Sequence, residues 1–382
     1  MKKFLFVLIL CLYVSIALSQ THQPVDAKAS NRTKILYQNL FRVMHDGIMF
    51  GHQDDVAYGT GWMLEAGKSD VKAVVNDYPA VYGFDIGYIE KFSPHNIDSV
   101  PFNKMQELIK TGYERGGVIT ISWHATNPYN GKSMWDVTHG SVASVLPGGN
   151  KHELFKQWLH TVATFIKSLK SYNGDLIPVL FRPFHECNSG WFWWGKGTCS
   201  NEEYKALWRL TVTQLRDEEQ VHNILYVYNT TEFGDKKEYE ERYPGNEYVD
   251  VVSFDSYQNT DMIGSRKDFI KNNRIRLSLL TEFARNNNKL PAFSETGYEN
   301  LPDANWYTKT LYETIKDFPV SYVLVWRNGG KKSANRGPWQ YQPNHSFYTP
   351  TLQHLSAQDF KTFHDMPNII FQNKITMEKL YY

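Results

Sequence analysis

Eight short apolar runs punctuate the chain, at 48–52, 80–86, 118–123, 177–184, 224–228, 249–254, 291–294 and 322–326, with segments of helical length between them. The clearest helical stretches are 102–113, 152–169, 202–215, 270–285 and 306–316, where apolar residues recur at helical spacing. Strand alternating with helix implies parallel pairing, because a parallel neighbour is reached through a crossover connection. Eight such units predict an α/β fold, a (β/α)8 TIM barrel. A doubly wound open sheet is the competing architecture, but no glycine-rich phosphate loop follows the first run. No repeat, low-complexity tract or linker interrupts residues 34–328, so a single domain is expected over 20–382. A loop at 329–344 would cover the barrel mouth, and a short helix at 357–364 with a strand-like run at 369–371 would pack it down.

In such a barrel the carboxyl ends of the strands converge on one face. Here those ends read His52-Gln53-Asp54-Asp55, Asp85, Trp123-His124, His185-Glu186, Asp255-Ser256-Tyr257, Glu295-Thr296-Gly297 and Trp326-Arg327-Asn328. Any one could be a strand cap or a satisfied core group, the better reading for Asp85 and Gln53. Their joint occurrence is hard to explain as packing and points to a functional site.

The densest signal runs from Phe181 to Gly195. It delivers Arg182, His185 and Glu186 to a strand end and follows them with Trp191, Phe192, Trp193 and Trp194. A packed tryptophan core is the plain alternative, and it suits Trp193, Trp194, Phe181 and Phe184. It leaves Glu186 unexplained, since a carboxylate among indoles is costly to ionise unless it has a partner or a task. Indole faces beside a carboxylic acid do suit sugar cleavage, where rings stack on aromatic faces and the acid protonates a glycosidic oxygen. The 15% aromatic content fits an aromatic-lined surface. Lys plus Arg (41) against Asp plus Glu (40) gives no field to attract nucleic acid or an anionic membrane.

Residues 1–19 carry Lys2 and Lys3, an apolar run and Ala17-Leu18-Ser19, the pattern of a secretory signal. The run is short for a membrane span, so export to periplasm or medium without stable membrane insertion is expected. Lipidation at Cys11 ranks second, because Leu8-Ile9-Leu10 lacks the preferred small residue. Beyond this segment only Cys187 and Cys199 remain, flanking the tryptophan loop. They could form a disulfide or stay as two buried thiols, and the sequence leaves both open.

Glu186 and Glu295 close the fourth and seventh runs, and across a barrel mouth they could share one substrate bond, as glycoside hydrolysis requires. Arg-Pro-Phe-His-Glu with Asn188 and Trp191-Phe-Trp-Trp-Gly resembles glycoside hydrolase family 26, most of whose members are β-1,4-mannanases. So do Phe-Ser-Glu-Thr-Gly around Glu295, Trp-Arg-Asn at 326–328 and Phe-Gly-His-Gln-Asp at 50–54. The resemblance implies a retaining barrel enzyme acting on mannan-type polysaccharide or manno-oligosaccharide, with no cofactor and no metal. It implies Glu186 as general acid/base and Glu295 as nucleophile. By the same resemblance His185 binds sugar, Tyr257 hydrogen-bonds the nucleophile and Asp255 lies near it. Trp326 would stack under the sugar, Arg327 would bind sugar or a carboxylate, and Trp191 would serve the leaving-group side. His124 and Trp123 are expected to wall the cleft. One departure is Asn188-Ser189-Gly190, where many members read Asn-Gly.

Three rivals remain. A metal-dependent barrel could use His52, Asp54, His124, His185 and Asp255, although the first strand lacks the usual His-x-His pair. A silent sugar-binding protein would have no reason to keep both glutamates. The same machinery could also act on β-1,3-xylan or mixed-linkage glucan.

Overall fold

The computed structural model describes residues 22–258, 265–329 and 346–382. The eight runs become eight parallel strands: β1 (Ile48–Gln53), β2 (Val81–Asp85), β3 (Val118–Trp123), β4 (Val179–Pro183), β5 (Ile224–Thr230), β6 (Val251–Gln258), β7 (Leu290–Tyr298) and β8 (Tyr322–Val325). Each pairs with the next, and β8 returns to β1 through the register Met49↔Tyr322 to His52↔Val325, so the sheet closes. A short ninth strand, β9 (Ile369–Ile370), adds to the entry of β1. The strands are buried along almost their whole length, as both faces of a parallel sheet must be when helices cover it.

The covering helices form where the apolar stripe lies. α1 (Asn31–Asp46) starts at Ser30, whose side chain accepts from Thr33 N–H, and buries Leu36, Tyr37, Leu40 and Val43. α2 (Phe102–Glu114) and α3 (His152–Ser168) follow the same logic; α3 buries Phe155, Trp158, Leu159, Val162 and Ile166. α4 (Asn201–Thr213) opens with a complete Ser200–Glu203 capping box and runs into π turns at Gln214–Glu218. α5 (Ser265–Asn287) begins earlier than its apolar periodicity suggests. The stretch expected at 306–316 is a π turn, Tyr307–Leu311, continued by a helical turn, Tyr312–Ile315.

β6 and β7 outrun their apolar sequence because they continue as polar residues into the mouth. A bulge at Ser294 shifts the β6–β7 register, so that Phe254 pairs with Phe293 but Asp255 pairs with Glu295. The short helix appears at Ala357–His364 (α6). The final residues, with α7 (Met377–Tyr381), strap the opposite end of the barrel. Arg32 donates to Tyr381 O and Asn39 to Leu380 O, while Tyr381 Oη donates to Gly117 O. The loop expected at 329–344 lies, apart from Gly329, outside the described residues, as does the segment 1–19. Among the described residues no helix is long and apolar enough to cross a membrane.

Candidate active site

The fourth strand ends at Pro183, and the backbone then turns sharply. Phe184 and Glu186 both adopt left-handed φ angles, 48° and 52°, which cost roughly 1–2 kcal/mol each in residues with a Cβ. Simple alternation would aim the side chains of His185 and Glu186 in opposite directions; this turn lets both line one cleft. Neighbouring side chains hold it in place. Tyr204 Oη donates to Phe184 O, and Trp194 Nε1 donates to His185 O. Glu186 N–H donates to Asn229 Oδ1 at 2.6 Å.

The cleft has a volume of about 490 Å³ and is built around carboxylates. One carboxylate oxygen from each of Glu186, Asp255 and Glu295 lies within 4.8 Å of the others. Arg182, buried at the end of β4, donates to both Asp255 and Glu295. Tyr257 Oη donates to the other oxygen of Glu295 at 2.7 Å, so Glu295 is held on both sides as an acceptor. Among the described residues no cation is bonded to Glu186. Burial, and then the charge of Glu295, raise its carboxyl from 4.5 to about 7, although Trp191 Nε1 donates to its Oε2 at 2.8 Å. The two glutamates therefore sit in contrasting surroundings.

His124 and His185 meet edge to face with ring centroids 4.5 Å apart. Burial opposes charging His124, but Asp85, 2.7 Å from its Nδ1, outweighs that and raises it. His185 is pushed well below the usual imidazole range by burial, then by Arg182 and His124, and its buried Nδ1 has no hydrogen-bond partner among the described residues. Asp85 thus does more than cap a strand, since it also orients a residue of the cleft. Gln53 is buried at the first strand end, as a core group.

Of the expected aromatics, Trp191 and Trp326 line the cleft, joined by Phe192. Trp193, Trp194, Phe181 and Phe184 are core. Trp123 does not wall the cleft: it is fully buried, 6.3 Å from Phe155 in a stacked pair, and its Nε1 donates to Glu90. Asp255 lies near Glu295, as expected, with Arg182 bonded to both. It lies behind the cleft, 1% exposed, where Arg182, Asn229 and Ser294 take up its oxygens, so it has no surface for sugar. Arg327 takes the carboxylate option, 3.3 Å from Asp98, and does not line the cavity. Cys187 and Cys199 are free thiols: Cys187 Sγ faces Tyr228 Oη, and Cys199 Sγ faces the carbonyls of Trp194 and Gly195. Burial raises both thiols, Cys187 to about 11.

The metal-ligand set suggested by the sequence is not gathered in one place. His52 pairs with Asp55, Asp54 accepts from Tyr58, and His124 pairs with Asp85. Among the described residues the one group with metal-like spacing is Glu186, Asp255 and Glu295, two of which already share the Arg182 guanidinium.

Several residues of the site carried no sequence signal. Trp135 enters the cleft from the loop after β3, Gln258 ends β6, and Glu299 and Tyr348 complete the wall near β7. Gly297 marks the last of these, for a Cβ there would lie 2.2 Å from Tyr348 Cδ1. Asn229 was hidden in the tail of an apolar run, yet it bonds to groups on β6 and β7 and to the turn after β4.

The sequence profile described as "Glycosyl hydrolase family 26" matches residues 25–324. The chain belongs to family 26. A GH26 beta-mannanase from Bacteroides ovatus superposes with a TM-score of 0.85 at 43% identity, covering 92% of this chain and 98% of that one. The catalytic domain of a Bacillus sp. JAMB-750 GH26 endo-beta-1,4-mannanase gives a TM-score of 0.81 at 30% identity, covering 95% and 97%. A mannan endo-1,4-beta-mannosidase from Bifidobacterium adolescentis is 30% identical over 91% of this chain. This chain spans 35% of that relative's length, and 86% of a Bacillus subtilis mannan endo-1,4-beta-mannosidase, to which it is 25% identical.

Proposed function

We propose that this protein cleaves β-1,4-mannosidic linkages in mannan, galactomannan or glucomannan with retention of configuration, through one catalytic barrel spanning 20–382. Glu186 is the general acid/base and Glu295 the nucleophile. The observation that carries the reading is the approach of their carboxylate oxygens to within 4.8 Å, a spacing suited to direct attack rather than to an intervening water. The electrostatics support the division of labour. A carboxyl raised to about 7 keeps a proton to give the leaving oxygen, whereas Arg182 and Tyr257 present Glu295 as an acceptor.

In the first step Glu295 attacks the anomeric carbon, the glycosidic C–O bond breaks, and the Glu186 proton passes to the departing oxygen. In the second, Glu186 takes a proton from water, which displaces the Glu295 ester. His124, His185 and Trp326 contact the sugar being cleaved, and Trp191 the leaving portion. The substrate reading draws on the mannanase names of the relatives. Export rests on the composition of residues 1–19.

The test is the time course of products from mannan, β-1,3-xylan and mixed-linkage glucan, with Glu186→Ala and Glu295→Ala alongside. Mannan is expected to be cut, with losses on the order of 10³-fold or more in both variants. Cleavage of another glycan alone would overturn the substrate. Full activity in either variant would overturn the carboxylate assignment.

A further inference from the structure

Asn229, at the end of β5, is fully buried and touches neither the cleft nor solvent. Its Oδ1 accepts from Glu186 N–H at 2.6 Å, and its backbone carbonyl accepts from Cys187 N–H at 3.4 Å. Its Nδ2, with two hydrogens to share, lies within hydrogen-bond reach of Asp255 Oδ1 at 2.8 Å, Ser294 Oγ at 2.9 Å and Ser253 Oγ at 3.1 Å. The carboxylate fixes which end of the amide is which: nitrogen must face Asp255, so oxygen faces the backbone of Glu186. Asp255 pairs with Arg182, and Arg182 with Glu295. An unbroken polar chain thus runs from the strained backbone under Glu186 to the carboxylate of Glu295.

We propose that Asn229 is a positioning residue that sets the Glu186 carboxyl at its working distance from Glu295, by clamping the backbone of the left-handed Glu186 and of Cys187 after it to the Asp255–Arg182 pair. This rests on the proposed two-carboxylate reading and deepens it. Among the described residues no side-chain cation locates Glu186, so its place is set through its backbone. The turn is held from the core side by Tyr204 and Trp194, and Asn229 alone of the three also reaches the groups that hold Glu295. Loss of the amide frees the acid while Arg182 and Tyr257 keep the nucleophile in place.

The test compares two substrates in wild type, Asn229→Ala and Asn229→Ser: mannotetraose, whose leaving oxygen needs a proton, and 2,4-dinitrophenyl β-mannobioside, whose leaving group does not. Serine is too short to reach Glu186 N–H but leaves a hydroxyl on the Asp255 side, which covers the case in which alanine does not fold. Both variants are expected to lose on the order of 100-fold in kcat on mannotetraose, the scale of misplaced general acid–base catalysis. The dinitrophenolate burst should persist, and azide should restore turnover. Azide attacks the anomeric carbon of the Glu295 ester, leaves as the glycosyl azide and frees the carboxylate.

The basic limb of the mannotetraose profile, set in wild type by Glu186 near about 7, should move to lower pH as that carboxyl drifts from Glu295 toward solvent. The charged and titratable groups facing Glu186 are Glu295 on β7, Arg182 on β4, Asp255 and Tyr257 on β6 and His124 after β3; all are unchanged in the variants. Equal loss on both substrates without azide rescue, an unmoved limb, or undiminished activity would each overturn the proposal. Wild type inactive on both substrates would instead overturn the function proposed above.

Discussion

Glu186 is acted on by neighbours of opposite sign: burial and the charge of Glu295 raise its carboxyl, while the indole N–H of Trp191, bonded to Oε2, lowers it. Deleting that donor removes the largest lowering influence and leaves only the more distant charges of Arg182 and His124 against burial and Glu295. In Trp191→Phe the basic limb of kcat/KM is therefore expected to move to higher pH, opposite to the shift expected of the Asn229 variants. A limb that stays put or falls would show that the indole does not govern the proton. The sequence marks Glu186 through its apolar surroundings and Glu295 through its strand-end position. Asn229, Asp255 and Arg182 act as one group but lie at positions as far apart as 73 residues, and no local pattern couples them. The same blindness misassigned Trp123, whose place in the sequence beside His124 says nothing of which way its strand presents it.

At the level of elements, the strands were legible because buried parallel strands read as near-continuous apolar runs. Their ends were not, since β6 and β7 extend as buried polar residues that resemble a loop in composition. The bulge at Ser294 has no signature either, yet it lets Ser294 bond inward to Asp255 while Glu295 reaches the cleft. α4 matters to the site through Tyr204, whose hydroxyl holds the turn at Phe184. Its start depends on the Ser200–Glu203 box. Ser200→Ala is expected to lower stability by about 1 kcal/mol, read by thermal unfolding. kcat at 25 °C should stay unchanged, because the buried face of the helix is untouched; a loss of kcat larger than the loss of stability would mean that the cap itself tunes the turn.

For the whole molecule, closure depends on the two ends of the chain meeting. Gly47 enters β1 directly against the C-terminal segment, where an added Cβ would lie 2.5 Å from the carbonyl oxygen of Asn368. Gly47→Ala must push β9 away from β1. A loss of about 1–3 kcal/mol in stability is expected, measured by denaturant unfolding, with activity at 25 °C retained because the mouth lies at the other end of the strands. Stability equal to wild type would show that the strap yields freely. The same strap has a consequence for how the protein is made. β1 needs β8 to complete its pairing, and α1 hydrogen-bonds to the last residues of the chain. Until β8 has been made, β1 has one strand neighbour in the barrel, β2, and an open edge, so the ring cannot shut before residues 322–325 are available. A ring shut by its first and last strands therefore gains its final pairing late, and that pairing is one of long sequence separation, which is slow to form.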